Sequence, residues 1–178
     1  MDSAYRIRVA VPDDLEGIVA LERGIDTLPH WSMLDYLAAQ SPVGGRLGME
    51  GTTRCTFVAE GKDDCGIVGF AVGKVLATET DVVAELESVG VALAVRRMGI
   101  GEELCATVIA WARDMDASAI ELEVRSRSAG PIALYERLGF MAEGRRAGYY
   151  RDPADDAILM RLELVSKTAP GPIHGRDL

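Results

Sequence analysis

The apolar positions of this chain run in two alternating rhythms. "YRIRVAV", residues 5–11, places apolar and polar side chains in turn, the two-residue period of a half-buried strand. Pro12, Asp13 and Asp14 then open a helix that carries Leu15, Ile18, Val19 and Leu21 at helical intervals. A second short helix is expected over "HWSMLDYLAA", residues 30–39, with Ser32 as N-cap and Asp35 completing a partial capping box. The stretch "SPVGGRLGMEGTT", residues 41–53, keeps no period, is rich in Gly, Pro and Thr, and reads as a loop. "RCTFVAE" and "GIVGFAVGKVLA" are strand-like and are separated by "GKDDC", a hairpin signal. "VVAELESVGVALAV", residues 82–95, is the fourth strand, and its Gly90 marks a bulge or a close backbone approach.

The rhythm then lengthens. Leu104, Val108, Trp111, Ala112 and Met115 line one face of a long helix ending near Asp116. In "SAIELEVRS" the apolar Ile120, Leu122 and Val124 alternate with Glu121, Glu123 and Arg125, which predicts a fifth strand. "GPIALYERLGF" is a compact helix with Pro131 at its first position and Gly139 as its stop. Two more strands, "FMAEGRRAG" and "DDAILMRLEL", close the domain, with Tyr149 and Tyr150 in the hairpin between them. Residues 1–165 are expected to form one α/β domain. Residues 166–178, polar and broken by Pro and Gly, are expected to be a disordered tail.

Bulk properties narrow the function classes. A chain of 178 residues, 48% hydrophobic and 26% charged, is the size of one ordinary globular domain. No apolar run approaches the roughly 20 residues that span a bilayer, and the N-terminal "MDSAYRIRVAVPDD" has no leader pattern. Cys55, Cys65 and Cys105 are odd in number and scattered, with only His30 and His174 beside them, so the expectation is a cytoplasmic protein without a metal site. A net charge of -9 argues against a nucleic-acid partner and mildly favours a basic or amine-bearing one.

The most informative stretch is "VRRMGIGEELC", residues 95–105. A strand, a loop and a helix start in succession aim unpaired backbone N–H groups one way, at the positive end of the helix dipole. Gly99 and Gly101 would let a phosphate reach that backbone, and Arg96 and Arg97 would add charge-assisted hydrogen bonds. The Walker A pattern fails, because neither Gly61-Lys62 nor Gly73-Lys74 is followed by Ser or Thr. The Rossmann pattern fails at Leu104, where its third glycine would stand. R-x-x-G-x-G remains, and by itself it is equally a strand-to-helix turn that uses glycine for geometry alone.

"ESVGVALAVRRMGIGEELC" resembles the pyrophosphate-binding motif of the GCN5-related N-acetyltransferases, Q/R-x-x-G-x-G/A after a bulged strand. "ELEVRSRSAGPIALYERLGF" and "RRAGYYRDPADDAILMRL" resemble the bacterial ribosomal-protein-alanine N-acetyltransferases within that superfamily. The resemblance implies a mixed, mostly antiparallel sheet splayed between its fourth and fifth strands, with helices on both faces. It also implies acetyl-coenzyme A as acetyl donor. Val89, Gly90 and Val91 would pair with the pantetheine arm, and Arg97, Met98, Gly99, Ile100, Gly101 and Glu102 would wrap the pyrophosphate, with Arg96 beside them. Glu102 departs from the basic or small residue often found there; a carboxylate beside a pyrophosphate is repulsive unless it turns into solvent. Ser128 stands where the family usually carries an Asn that touches the coenzyme.

The same resemblance makes Glu123 the general base that deprotonates an amine and Tyr135 the acid that protonates the leaving thiolate. Read from the residues alone, Glu123 is equally a solvent-facing strand glutamate and Tyr135 a core tyrosine, and Glu85 or Glu87 on the neighbouring strand could serve as base instead. Tyr149, Tyr150 and Trp31 of "HWS" would wall the acceptor groove; ordinary aromatic packing would explain them as well. Gly148 and Arg151 stand where the family more often has Asn and Pro. The expected activity is acetyl transfer to a primary amine, the N-terminal α-amine of a protein being favoured. Transfer to a small-molecule amine and a catalytically silent acetyl-coenzyme A-binding module are the alternatives.

Overall fold

A glycine in the most apolar segment of the chain explains how its longest helix is seated. The computed structural model describes residues 4–26, 28, 31, 32, 34, 36, 51–62 and 65–164. Within strand β3 (Ile67–Ala77), a Cβ on Gly73 would lie 2.8 Å from both Trp111 and Val108 of helix α2 (Ile100–Asp114). Without that atom the ring of Trp111 lies directly on the strand. Leu104, Cys105, Val108 and Ala112 of the same helix are fully buried against Phe57, Ala71, Val75 and Leu86. The opposite face of the sheet is covered by helix α1 (Leu15–Arg23), whose Leu15, Ile18 and Val19 pack with Val58, Phe70 and Val72.

Among the described residues seven strands make one sheet in the order β1-β2-β3-β4-β5-β7-β6. They are β1 (Tyr5–Val9), β2 (Gly51–Gly61), β3, β4 (Val82–Val91), β5 (Ala119–Arg125), β6 (Met141–Arg151) and β7 (Ala154–Glu163), with helix α3 (Ala129–Arg137) between β5 and β6. Every neighbouring pair is antiparallel except β4 with β5. That parallel pair holds over three residues only, Val83 to Ala119, Ala84 to Ile120 and Glu85 to Glu121. Beyond it β4 stays with β3 and β5 stays with β7, so the sheet opens at its centre. The mixed, mostly antiparallel sheet with helices on both faces is the expected one.

The opening has a local cause. Val72 of β3 stands opposite Ser88 while the next residue, Gly73, stands opposite Leu86, which leaves Glu87 as an extra residue in β4. A bulge of this kind bends its strand and increases the twist. It also reverses which side chains face α2: Ala84 and Leu86 do so before Glu87, Val89 and Val91 after it. Gly90, expected to mark a bulge or a close approach, is the close approach, because a Cβ there would meet the Phe70 ring at 2.5 Å.

Several boundaries differ from the sequence expectation. β4 ends at Val91 and is followed by a 3-10 turn, Leu93–Val95, instead of continuing to residue 95. β2 begins at Gly51, because Gly51, Thr52 and Thr53 find partners in Ala77, Leu76 and Val75, which a loop reading cannot foresee. Pro131 is the third residue of α3, which starts at Ala129 after Ser128. Tyr149 and Tyr150 belong to β6, and the turn follows at Asp152-Pro153. Arg125 is 9% exposed, because its guanidinium donates to the carbonyls of Pro153 at 2.7 Å and Asp152 at 3.0 Å. Of the helix expected over 30–39, only residues 31, 32, 34 and 36 are described; His30, Asp35, the remainder of the loop expected over 41–53, and the tail expected over 166–178 lie outside the described residues. No helix among the described residues is long and apolar enough to cross a membrane.

Gly73→Ala should lower the unfolding free energy by about 1–3 kcal/mol, since a strand and an indole must separate to admit one methyl. Gly144→Ala on β6 meets nothing within 4 Å and should change stability by less than about 0.5 kcal/mol. Urea unfolding of both variants checks the pair, and equal effects would mean that α2 is not seated through the gap at Gly73.

Candidate active site

A cavity of about 980 Å³ occupies the opening between β4 and β5 and runs from the start of α2 to the end of β6. Its walls begin with backbone. β4 beyond Glu85 has β3 on one side and no strand on the other, so the N–H and C=O groups it turns toward β5 have no ladder partner. Interior backbone polar groups need hydrogen bonds, and an extended ligand with amides of its own can supply them. Val89, Gly90 and Val91 line this edge.

One end of the cavity is built for an anion. Gly99 caps α2 with φ 84°, a left-handed conformation open to glycine, and the first turn then presents its N–H groups beside Ile100 and Gly101. Arg97 is also left-handed, φ 64°, which costs a residue with a Cβ roughly 1–2 kcal/mol. Arg96 donates from Nε to the Val91 carbonyl at 3.1 Å and so folds the loop back onto the strand it leaves. Arg96, Arg97, Gly99, Ile100, Gly101, Glu102 and Ser128 all line the cavity. Met98 does not: it is half exposed and borders a separate cavity of about 260 Å³ beside Tyr5, Lys62 and Cys65. These features fit a diphosphate joined to an extended, amide-bearing arm.

The other end gathers carboxylates and aromatic rings from five separate segments. Glu123 of β5 is 24% exposed, and its Oε1 lies 2.5 Å from Nη1 of Arg146 on β6. The Tyr149 hydroxyl also donates to Glu123, and that bond raises the Tyr149 pKa. Glu87, the bulge residue, is 9% exposed and held by Arg54 at 2.8 and 3.1 Å and by Lys74 at 3.2 Å. Lys74 also pairs with the more exposed Glu85. The acceptor capacity of Glu87 is thus committed to two cations, whereas Glu123 has one protein cation and one phenol.

Tyr135 of α3 packs edge-on against Phe140, ring centroids 5.8 Å apart, with its ring partly in the core. Burial, and after it Cys105 and Tyr150, push its pKa up, so the phenol keeps its proton throughout the physiological range. Tyr150 is pushed up to about 12 by burial and then by the charge of Glu123. Its ring lies under the Arg125 guanidinium at 4.1 Å and edge-on to Tyr149 at 5.1 Å. Both tyrosines owe their aim to a second bulge. Arg146 pairs with Ala157 but Tyr150 with Asp155, and Asp156 holds the displaced backbone by accepting from Gly148 N at 2.7 Å and Arg145 Nε at 2.7 Å. Trp31 packs tilted against the buried Tyr36, ring centroids 5.4 Å apart, and completes the wall.

Glu85, Glu87, Glu123, Tyr135, Tyr149, Tyr150 and Trp31 therefore share one cavity with the anion end. Leu28, Ser88, Arg125 and Arg137 line it too and were not singled out from the sequence. Strand alternation hides Arg125, because only the later turn supplies the carbonyls that bury it. Arg137 reads as a routine cation in the last turn of a helix. Ser88 changes face only through the bulge at Glu87.

The sequence matches the Acetyltransferase (GNAT) family over residues 25–140. The N-alpha-acetyltransferase RimI of Mycobacterium tuberculosis is 34% identical over 97 residues, 54% of this chain and 60% of that protein, so the chain spans about three-fifths of this curated relative. The ribosomal-protein-S18-alanine N-acetyltransferase of Escherichia coli is similar in structure, with a TM-score of 0.70 and 25% identity over 94% of this chain and 99% of that one. Naa20 of Chaetomium thermophilum, solved with a bisubstrate analogue, has a TM-score of 0.73 and 26% identity over 89% of this chain and 86% of that one. The family match takes in the opened strand pair, the glycine-capped start of α2 and both Glu123 and Tyr135, and this chain belongs to the Acetyltransferase (GNAT) family.

Proposed function

We propose that this protein transfers an acetyl group from acetyl-coenzyme A directly to a primary amine, and that the amine is the N-terminal α-amine of a protein. The single observation that carries the reading is one continuous cavity with a glycine- and arginine-lined helix start at one end, Glu123 and aromatic walls at the other, and a strand edge without a ladder partner between them. Bound acetyl-coenzyme A supplies the activated acetyl thioester. Gly99, Ile100 and Gly101 with Arg96 and Arg97 hold its phosphates, and the free edge of β4 at Val89, Gly90 and Val91 aligns its arm; Ser128 borders the same cradle.

The protons move at two places. An α-ammonium has a pKa near ~8 and must lose a proton before nitrogen can attack. Glu123 takes that proton, and Arg146 and Tyr149 hold its carboxylate in place at the end of β5. Tyr135, kept protonated by burial, gives one back at the leaving sulfur. Trp31, Tyr149 and Tyr150 leave room for an extended chain behind the amine. The protein relatives support this acceptor: the RimI match is named an N-alpha-acetyltransferase and the E. coli structure an enzyme for the alanine of ribosomal protein S18.

Glu123→Gln should lower kcat by about 100-fold or more near neutral pH and recover part of it at high pH, where the amine is already deprotonated. Tyr135→Phe should slow transfer while leaving acetyl-coenzyme A affinity close to wild type. If Glu123→Gln is nearly silent while Glu85→Gln or Glu87→Gln abolishes turnover, the base stands on β4.

The acceptor class is tested with four substrates: a short Ala- or Ser-initiated peptide, the same peptide with a blocked α-amine and an internal lysine, the free amino acid, and a polyamine. The first should have the highest kcat/KM, because contacts beyond the first residue strengthen in the transition state. Tyr149→Ala should lower kcat/KM for that peptide more than it weakens binding of acetyl-coenzyme A. A preference for the polyamine or the free amino acid would replace the acceptor with a small-molecule amine, and a preference for the internal lysine would replace it with a protein side chain.

A further inference from the structure

Glu102 is the third residue of α2 and stands where a phosphate would meet the helix N-terminus, so its carboxylate competes for the same N–H groups and the same arginines. It is half exposed and pairs with neither Arg96 nor Arg97. Its Oε2 lies 3.4 Å from Nη2 of Arg137, the last residue of α3, on the opposite side of the cavity mouth. Arg137 is steadied by its own helix, Nη1 donating to the Ala133 carbonyl at 3.1 Å. The two side chains are 60% and 50% exposed, and a solvated pair of that kind contributes little net stability. Its carboxylate is therefore easily exchanged for a stronger anion. A phosphate carries at least equal charge and offers oxygens that a guanidinium fork can take two at a time.

We propose that Arg137 is a phosphate ligand of the coenzyme that Glu102 holds in reserve: the guanidinium pairs with Glu102 until a coenzyme phosphate takes the place of the carboxylate. The inference rests on the acetyl-coenzyme A reading above and adds to it a third guanidinium, brought from α3. Glu102 then has two effects. It keeps Arg137 extended over the cavity mouth, and it sets a threshold that weaker anions do not cross, because a ligand must outcompete a carboxylate already in place. The phosphate concerned belongs either to the diphosphate or to the ribose 3′ position, and both present the same chemistry to Arg137.

The test is calorimetric titration of the full chain with acetyl-coenzyme A and with its analogue lacking the 3′-phosphate, together with kcat/KM for S-acetyl-pantetheine, which has no phosphate. Wild type, Glu102→Gln, Arg137→Gln and the double variant are compared, with thermal unfolding to confirm that all four fold alike. Arg137→Gln should weaken acetyl-coenzyme A binding about tenfold, the usual range for one charge-assisted contact, and leave kcat/KM for S-acetyl-pantetheine unchanged. Glu102→Gln should tighten binding by a few-fold. The loss on removing Arg137 should persist in the Glu102→Gln background, which shows contact with the ligand.

If that loss disappears once Glu102 is neutral, Arg137 only offsets a misplaced carboxylate and the proposal is overturned. Equal loss toward S-acetyl-pantetheine would overturn it as well, because a ligand without phosphates should not sense a phosphate contact. Persistence of the loss with the 3′-dephospho analogue assigns Arg137 to the diphosphate, and its disappearance there assigns it to the 3′-phosphate; either result supports the proposal. Failure of the wild-type chain to bind acetyl-coenzyme A would overturn the coenzyme reading and this inference together, whereas wild-type binding untouched by Arg137→Gln overturns this inference alone.

Discussion

One residue too many in β4 governs the site. Glu87 has no partner on β3, and accommodating it bends β4 away from β5 after three shared residue pairs. An extra residue in a strand is held only if its side chain finds an energetic reason to stay, and Glu87 has two. Arg54 of β2 and Lys74 of β3 reach across the sheet to its carboxylate, which is 9% exposed. Register supports the arrangement, since Arg54 stands opposite Lys74 and Lys74 opposite Glu85. A cross-strand row of charges on one face thus pins the irregularity that opens the other side of the same strand. Because Glu87 itself is buried, losing both cations would leave its charge uncompensated, so the bulge and the charge row stand together.

The opened strand then determines where chemistry can occur. The backbone groups that β4 turns toward the opening near Val89 and Val91, the Val91 carbonyl being shared with Arg96, are a binding surface because they lie in the middle of a sheet, where water cannot satisfy them as freely as at an edge. Both ends of that surface are closed by elements that come from elsewhere in the chain: the glycine-capped start of α2 at one end, and the tyrosines of β6 at the other. Asp156, outside the cavity, and Arg125, in its wall, hold those tyrosines, the first by pinning backbone and the second by tying the Asp152-Pro153 turn to β5. Glu123 sits where the two systems meet, with Arg146 and Tyr149 from β6 turned toward it.

The carboxylates of the cavity are less alike than their one-letter codes. Glu87 is a structural group clamped by two cations. Glu85 shares Lys74 and is partly solvated. Glu123 is held more lightly, by an exposed arginine and a phenol, and Glu102 faces an arginine across the cavity mouth. Each has a cation beside it, so a net charge of -9 for the whole chain says little about the field in this cavity. Local pairing outweighs average charge because screening removes distant contributions within about 10 Å.

Much of the fold and part of the site were legible in the amino-acid sequence. The periods of β1, α1, α2 and β5, the start of α2 at Gly99 and the anion character of residues 96–101 follow from forces that act over a few residues: side-chain alternation, helix capping, and the freedom of glycine at positive φ. The local resemblance around Glu123 and Tyr135 belongs to the same class. Other features required the tertiary structure. That the extra residue of β4 is Glu87 and not Gly90 depends on the register against β3, and a strand cannot know its partner's register from its own side chains. The burial of Arg125 depends on carbonyls 27 and 28 residues away, the pairing of Glu102 on an arginine 35 residues away, and the exclusion of Met98 from the main cavity on which way a tight turn points. Sequence by itself determined the local conformations and the chemical types available; tertiary structure decided which of them meet, because long-range pairing is the step at which one set of contacts wins over all the others the same residues could have made.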